Sequence, residues 1–232
     1  MKDKLDGIKA IFFDAGGTLI HLDSSFICSS VGVEVGGDSS PENFRRAQYM
    51  AMARVAELVA AGAGSTESLK REFYSTLLPK IGVSQENLTS AVECALNLAQ
   101  AEMLWRKADD TTAPTLRQLR ERAIILGVVS NSDGRIEHAF RQAGLAEYFE
   151  FFIDSFIVGV EKPDPAIFLM ATERARVSPR EAVYVGDLYG VDVIGARAAG
   201  LTPVLYDPYQ LNRNADCLTI SAIGDLLALV DD

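Results

Sequence analysis

FFDAGGTL, residues Phe12–Leu19, is the stretch whose reading decides the fold. An apolar run that begins at Ile8 ends on the carboxylate of Asp14, with Gly16 and Gly17 close behind it. A buried strand that stops at an acid and a Gly-Gly turn sets that acid at the carboxyl edge of a sheet, where open α/β folds bind ligands.

Further apolar runs have the same character. AIILGVVS ends at Ser130, EFFIDS surrounds Ile153 and AVYVGD ends at Asp187, while LTPVLY and CLTI read as a fifth and a sixth strand. Continuous apolar runs of this length suit strands buried on both faces of a parallel sheet. Amphipathic segments separate them. Ser132 or Asp133 is placed to cap a helix carrying Ile136, Ala139 and Phe140, with Gly144 to end it. Asp164-Pro165 starts another helix, Ser178 and Glu181 form a capping box, and Gly200 closes a helix that begins near Asp192. The expected fold is a doubly wound, Rossmann-like α/β core.

Residues 22–110 read differently. Phe44, Ala47, Ala51, Val55 and Leu58 recur at helical spacing after Ser40-Pro41, as do Leu69, Phe73 and Leu77, and then Leu88, Val92, Ala95, Ala99 and Met103. Such stripes are packing faces. The expectation is a helical domain, 22–110, inserted after the first strand of a core made of 1–21 and 111–232, with Gly- and Ser-rich loops at 32–40 and 62–68.

The chain has 232 residues, of which 48% are hydrophobic, enough for a sizeable core. A formal charge of -10 argues against a nucleic-acid or anionic-membrane surface, because those need clustered Lys and Arg. Three dispersed cysteines, Cys28, Cys94 and Cys217, give neither a zinc pattern nor a disulfide framework and suit a reducing, cytoplasmic setting. MKDKLDGIKA lacks the apolar core of a signal peptide, and no stretch has the ~20 apolar residues of a membrane helix.

Four polar signals fall at or just beyond strand ends: Asp14, Ser130 with Asn131, Lys162 in GVEKPDPAIF, and Asp187 with Asp192 in VGDLYGVD. In a parallel sheet with right-handed crossovers the carboxyl ends of the strands point one way, so these groups can converge. Asp14 and Asp187 repel each other unless a cation lies between them, and oxygen ligands suit a hard ion such as Mg2+. Ser130 and Asn131 offer donors to an anionic oxygen. Lys162 can hold a substrate anion and an ionised Asp14 together. A carboxylate held in this way is a plausible nucleophile for covalent transfer.

These segments resemble the haloacid dehalogenase superfamily of hydrolases. FFDAGGTL, VVSNSDG, GVEKPDPAIF and VGDLYGVDVIGARAAG match its four motifs in order, and the helical insertion sits where one subgroup carries a cap domain. The resemblance implies Asp14 as nucleophile, Ser130 as phosphate ligand, Lys162 as charge stabiliser and Asp187 as metal ligand. It also implies that the Gly16 carbonyl coordinates Mg2+ while Asp192 acts from behind the metal.

Position 16 departs from that pattern. Phosphatases of the superfamily usually carry a second Asp there, which protonates the leaving group and then activates water. A positioned acid or base is worth about 10²- to 10⁴-fold, roughly 3 to 5 kcal/mol of barrier. Three readings follow. The chain is a Mg2+-dependent phosphohydrolase of small metabolites with a good leaving group, or with an acid drawn from His21, Asp23 or the inserted domain. Alternatively it resembles the dehalogenase or phosphonatase branches, the latter needing a lysine such as Lys70, Lys80 or Lys107. The third is a catalytically weak binding or regulatory protein.

Overall fold

The computed structural model describes residues 5–33, 36–63 and 65–230. Residues 1–4 of the N-terminal reading, and parts of the two expected loops at 34–35 and 64, lie outside the described residues. In chain order the strands are β1 (Ala10–Phe13), β2 (His21–Leu22), β3 (Trp105–Lys107), β4 (Ile125–Ser130), β5 (Phe151–Asp154), β6 (Ala182–Gly186), β7 (Thr202–Tyr206) and β8 (Leu218–Ile220). The α-helices are α1 (Ser24–Ser30), α2 (Pro41–Ala60), α3 (Thr66–Lys80), α4 (Leu88–Ala101), α5 (Thr112–Glu121), α6 (Ile136–Gln142), α7 (Ser155–Val158), α8 (Pro165–Ala175), α9 (Ile194–Ala198) and α10 (Leu226–Leu229). Two compact units divide the chain, one running up to Ile20 and resuming at Ala108, the other spanning His21–Lys107.

The first unit is built on a six-stranded sheet of order β5-β4-β1-β6-β7-β8. Every neighbouring pair is parallel. All six apolar runs read from the sequence are strands of this sheet. Strands after β1 add on one side of it, whereas those after β6 add on the other, so the order reverses between β1 and β6. That reversal is where open α/β sheets leave a crevice at the carboxyl ends. Phe13 is in register with Val128 of β4 and Val185 of β6, and the Asp14 N–H continues the ladder by donating to the Val185 carbonyl at 2.8 Å.

Both faces of the sheet are covered. On one, Phe12, Val129, Ile153 and Tyr184 pack with Ile167, Phe168 and Ala171 of α8 and Ala196 of α9. Phe13 points to the other, where Phe149 meets its edge and that of Phe140 in α6. Each fully buried Phe contributes about 1.5–3 kcal/mol of transfer free energy. Gly127 is required by this packing, since a Cβ there would lie 2.5 Å from the Phe151 ring.

Most helix ends follow the expected chemistry. Asp164 accepts from the Ala166 N–H at 2.9 Å, and Glu181 accepts from the Ser178 N–H and hydroxyl at 2.8 and 2.7 Å. Gly144 and Gly200 take positive φ values of 70° and 82° just past α6 and α9. The start of α6 is an exception. Asp133 is paired instead with Arg135 at 2.7 Å, and the Ser132 N–H donates to the Ser155 hydroxyl at 3.2 Å. The carboxylate that serves α6 is Asp154, at the end of β5, which accepts from the N–H groups of Gly134 at 3.0 Å, Ile136 at 3.4 Å and Phe156 at 3.1 Å. The helix expected from Asp192 also differs, beginning as a π-helical turn over Tyr189–Val193 that runs into α9.

The second unit is helical, with one small ribbon. Ser40 accepts from the Asn43 N–H at 3.3 Å, and Pro41 occupies the first turn of α2. Phe44, Ala47 and Ala51 of α2 join Tyr74 and Leu77 of α3 and Val92 and Ala95 of α4 in one core. Phe73, Leu88 and Ala99 pack against it, Val55, Leu58 and Leu69 are half-buried, and Met103 lies beyond the end of α4. The antiparallel pair of β2 with β3 was not expected, because two or three residues carry no readable alternation. No helix among the described residues is long and apolar enough to cross a membrane.

Replacing Asp154 by Ala leaves three N–H groups without their acceptor. Loss of a capping carboxylate costs about 1–2 kcal/mol, so the urea midpoint should fall accordingly; an unchanged midpoint would show that solvent replaces these bonds at no cost.

Candidate active site

The polar residues singled out in the sequence lie at the carboxyl edge of the parallel sheet. Asp14 is the first residue past β1, Ser130 the last of β4 and Asp187 the first past β6; Asp192 sits in the π turn and Lys162 in the loop before α8. All five are buried. The strand reversal therefore brackets Asp14 and Asp187.

Lys162 organises this site. Its ammonium lies 2.6 Å from Asp14 Oδ1, 2.8 Å from Asp192 Oδ1 and 2.9 Å from the Tyr184 hydroxyl. An ammonium has three N–H donors, and here each has an acceptor. The remaining polar atoms continue the network. Asp192 Oδ2 accepts from the Leu188 N–H at 2.9 Å, and the Tyr184 hydroxyl donates to the Val129 carbonyl at 2.9 Å. Gly186 makes room for this arrangement, because a Cβ there would sit 2.3 Å from Asp192 Cγ.

Asn131 reaches the site through the backbone. Its Oδ1 accepts from the Lys162 N–H at 2.8 Å and its Nδ2 donates to the Lys162 carbonyl at 2.9 Å. Oδ1 and one N–H of the amide are thus spent on holding the lysine loop, a positioning role beside the expected one in substrate binding. With its donors committed to Asp14, Asp192 and Tyr184, Lys162 acts on the carboxylates.

One oxygen from each of Asp14, Asp187 and Asp192 lies within 4.8 Å of the others. Three buried carboxylates against one ammonium leave an excess of negative charge, and the titration behaviour reflects it. Burial, opposed by Lys162 and reinforced by Asp192, raises the Asp14 carboxyl to about 6. Burial together with Asp14 and Asp192 pushes Asp187 well above the usual carboxylate range. Burial by itself would lower the Lys162 ammonium, but Asp14 and Asp192 hold it well above its ordinary value, so it stays charged. Desolvation likewise keeps the Tyr184 phenol protonated.

Asp187 Oδ2 is buried and has no hydrogen-bond partner among the described residues. A buried carboxylate oxygen with no donor is costly, and a cation removes that cost. The donor set here is all oxygen, which suits a hard divalent ion. Asp14 and Asp187 could hold such an ion, whereas both oxygens of Asp192 are already engaged by Lys162 and Leu188. Gly16, half-buried, lies in the turn that the Gly17 N–H closes on the Ile20 carbonyl at 2.9 Å, with Gly17 at a φ of 91°. No carboxylate stands at that position.

Two site residues were not read from the sequence. Thr18 Oγ1 lies 3.4 Å from Asp14 Oδ2 and 3.3 Å from Asp187 Oδ1, between the two carboxylates. Thr18 falls within FFDAGGTL, and its hydroxyl was the available signal. Tyr184 is embedded in an apolar strand, where an aromatic reads as core.

Asp23, one of the stand-ins expected for position 16, is otherwise occupied in the helical unit. Asp23 caps α1 through the Phe26 N–H at 3.2 Å, accepts from Ser25 at 2.8 Å and pairs with Arg106 at 3.1 Å and Lys107 at 3.4 Å. Burial would raise its carboxyl, but these hydrogen bonds and charges hold it below its usual range. It is therefore ionised at neutral pH and has no proton to give. His21 is buried, its ring 6.4 Å from that of Tyr49. Trp105 packs on Phe73 with ring centroids 6.2 Å apart, as an ordinary packing residue would. Lys70, Lys80 and Lys107 are all exposed, without the burial that makes a lysine amine nucleophilic.

A doubly wound α/β core with buried carboxylates and a buried lysine at its strand reversal defines a class of hydrolase-type sites. The sequence model for haloacid dehalogenase-like hydrolases matches residues 8–200, and the chain belongs to that family. Among curated relatives, haloacid dehalogenase-like hydrolase domain-containing protein 3 of Mus musculus is 46% identical over 87 residues, 38% of this chain and 35% of that protein. Glyceraldehyde 3-phosphate phosphatase of Methanopyrus kandleri is 37% identical over 134 residues, 56% of each chain. The chain thus spans about a third to just over half the length of these relatives. A dehalogenase crystal structure with an intermediate complex shares the fold, with a TM-score of 0.68 at 19% identity over 98% of this chain and 99% of that one.

Proposed function

We propose that this protein is a Mg2+-dependent phosphohydrolase of small phosphorylated metabolites that uses Asp14 as its nucleophile. The observation that carries the reading is the pairing of Lys162 with Asp14 at 2.6 Å beside Asp187, whose second oxygen lacks any partner among the described residues. The phosphatase named in Methanopyrus kandleri supports the substrate class. The exposed lysines of the helical unit count against a phosphonatase, and the oxygen-only cluster counts against a metal-independent dehalogenase.

Bound Mg2+ would be held by Asp14, Asp187 and the Gly16 carbonyl, and would supply positive charge to offset the phosphoryl oxygens. The chain's own residues do the rest. Lys162 keeps Asp14 ionised, so a carboxylate oxygen can attack phosphorus while the bond from phosphorus to the leaving oxygen breaks. Ser130 contributes a hydroxyl to a phosphoryl oxygen, and Asp192 keeps Lys162 in place. Water then cleaves the aspartyl phosphate, releasing inorganic phosphate and restoring Asp14.

With Gly16 in place of an acid, the leaving oxygen departs without a positioned proton. Acyl, enol and phenolic phosphates tolerate this because their anions are stable. Alkyl phosphates, whose alkoxides are poor leaving groups, are turned over more slowly.

Asp14→Asn should reduce Mg2+-dependent turnover of p-nitrophenyl phosphate by about 10³-fold or more; a rate equal to the wild type's removes the mechanism. Gly16→Asp, at a backbone position outside the left-handed region that Gly17 adopts, should raise alkyl-phosphate turnover by roughly 10²-fold or more while changing phenolic substrates far less. Equal effects on both substrate classes would mean that the leaving-group argument is wrong.

Metal binding has its own readout. The Asp14 carboxyl, raised to about 6, makes the metal-free fold less stable as pH rises from the unfolded value of ~3.9 through 6, because burial opposes loss of its proton. Mg2+ holds the ionised form and reverses that loss. Saturation at 100 times Kd stabilises by about 2.7 kcal/mol, so the rise in Tm with MgCl2 should be larger at pH 8 than at pH 5 and absent in Asp187→Asn. A rise that is the same at both pH values, or that survives the substitution, would place the ion elsewhere.

A further inference from the structure

Tyr184 is a buried phenol inside the charged network, at a strand position where an apolar residue would satisfy the core. Its ring does pack as core, 4.7 Å from the centroid of Phe168 and nearly perpendicular to it, and only 1% of the residue is exposed. The hydroxyl does something else. It accepts from the Lys162 ammonium at 2.9 Å, donates to the Val129 carbonyl at 2.9 Å and lies 3.4 Å from Asp192 Oδ1.

Two consequences follow from those contacts. First, Tyr184 supplies the third acceptor of Lys162. Without it the ammonium has only Asp14 and Asp192, and a buried N–H is left unmade, at a cost that favours moving the ammonium to recover a partner. Second, Val129 immediately precedes Ser130. The phenol therefore ties the ammonium that grips Asp14 to the end of the strand that presents the Ser130 hydroxyl.

We propose that Tyr184 is a positioning residue of the hydrolytic site, acting through Lys162 to fix the Asp14 carboxylate relative to the end of β4 that carries Ser130. This rests on the reading of Asp14 as nucleophile. A phenol that positions the nucleophile affects the step in which Asp14 attacks. It is buried and hydrogen-bonds neither Ser130 nor Asp187, so substrate affinity depends on it little.

The test is a double-mutant cycle of Tyr184→Phe and Lys162→Met, with kcat and KM measured on p-nitrophenyl phosphate. Tyr184→Phe keeps the ring against Phe168 and removes only the hydroxyl. It should lower kcat about tenfold, the size expected for one lost charged hydrogen bond, with KM within twofold of wild type. In the Lys162→Met background the same substitution should have no further effect. A tenfold loss in both backgrounds would show a general structural role and overturn the proposal, as would an unchanged kcat in the single variant. Where the Lys162→Met rate falls below detection, the cycle is read from the rise in Tm on adding Mg2+ with beryllofluoride, a phosphoryl mimic that needs a correctly presented Asp14. Failure of the hydrolase reading shows separately, as Asp14→Asn turning over at the wild-type rate.

Discussion

The contact between the Lys162 ammonium and the buried carboxylates is the interaction on which the site depends. Two unit charges 4 Å apart interact by about 4 kcal/mol at an effective dielectric of 20, so Asp14, Asp187 and Asp192 would repel one another strongly without a cation among them. Lys162 offsets Asp14 and Asp192 directly, at 2.6 and 2.8 Å. Asp187 is left with one oxygen that no group among the described residues answers. A buried ion pair of this kind is weak evidence for stability and better understood as a device for specifying geometry. Most of the surrounding structure can be explained as what holds that ammonium still.

Three elements do so from different directions. The two-way bonds between Asn131 and the Lys162 backbone lock the lysine loop to the end of β4. Asp164 starts α8 two residues later, so the loop is held between a strand end and a capped helix. Gly186 lets Asp192 come up against β6, where its second oxygen takes the Leu188 N–H and orients the first toward Lys162. Each is a backbone or packing feature whose effect is electrostatic.

The legibility of the sequence follows from this division. Strands buried on both faces are continuous apolar runs, so the six sheet strands could be read directly, and the acids at their ends with them. Local caps such as Asp164 and the Ser178–Glu181 pair were legible because donor and acceptor lie within a few residues. The cap of α6 was not, since Asp154 reaches it from another strand, eighteen residues beyond Ile136 in the chain. Tyr184 was hidden for a different reason. A residue that is core by its ring and polar by its hydroxyl gives only the first signal in sequence. Asn131 was legible as part of the site, but its hold on the lysine loop was not, because the backbone it bonds lies thirty-one residues away.

Gly16 acquires its meaning from the groups that fail to replace it. Asp23, the nearest carboxyl in sequence after Asp14 itself, is kept ionised by Ser25, Phe26, Arg106 and Lys107, and a carboxylate without a proton cannot protonate a leaving group. Asp192 has both oxygens engaged, and Lys162 has no spare donor. None of these three groups is placed to give the proton. On the proposed reading this moves the burden of selectivity from the enzyme's acid to the leaving group, since attack by Asp14 is supported equally for any phosphoryl group while departure is unassisted. Such a site discriminates by the stability of the departing anion, and a single absent side chain becomes a determinant of substrate class.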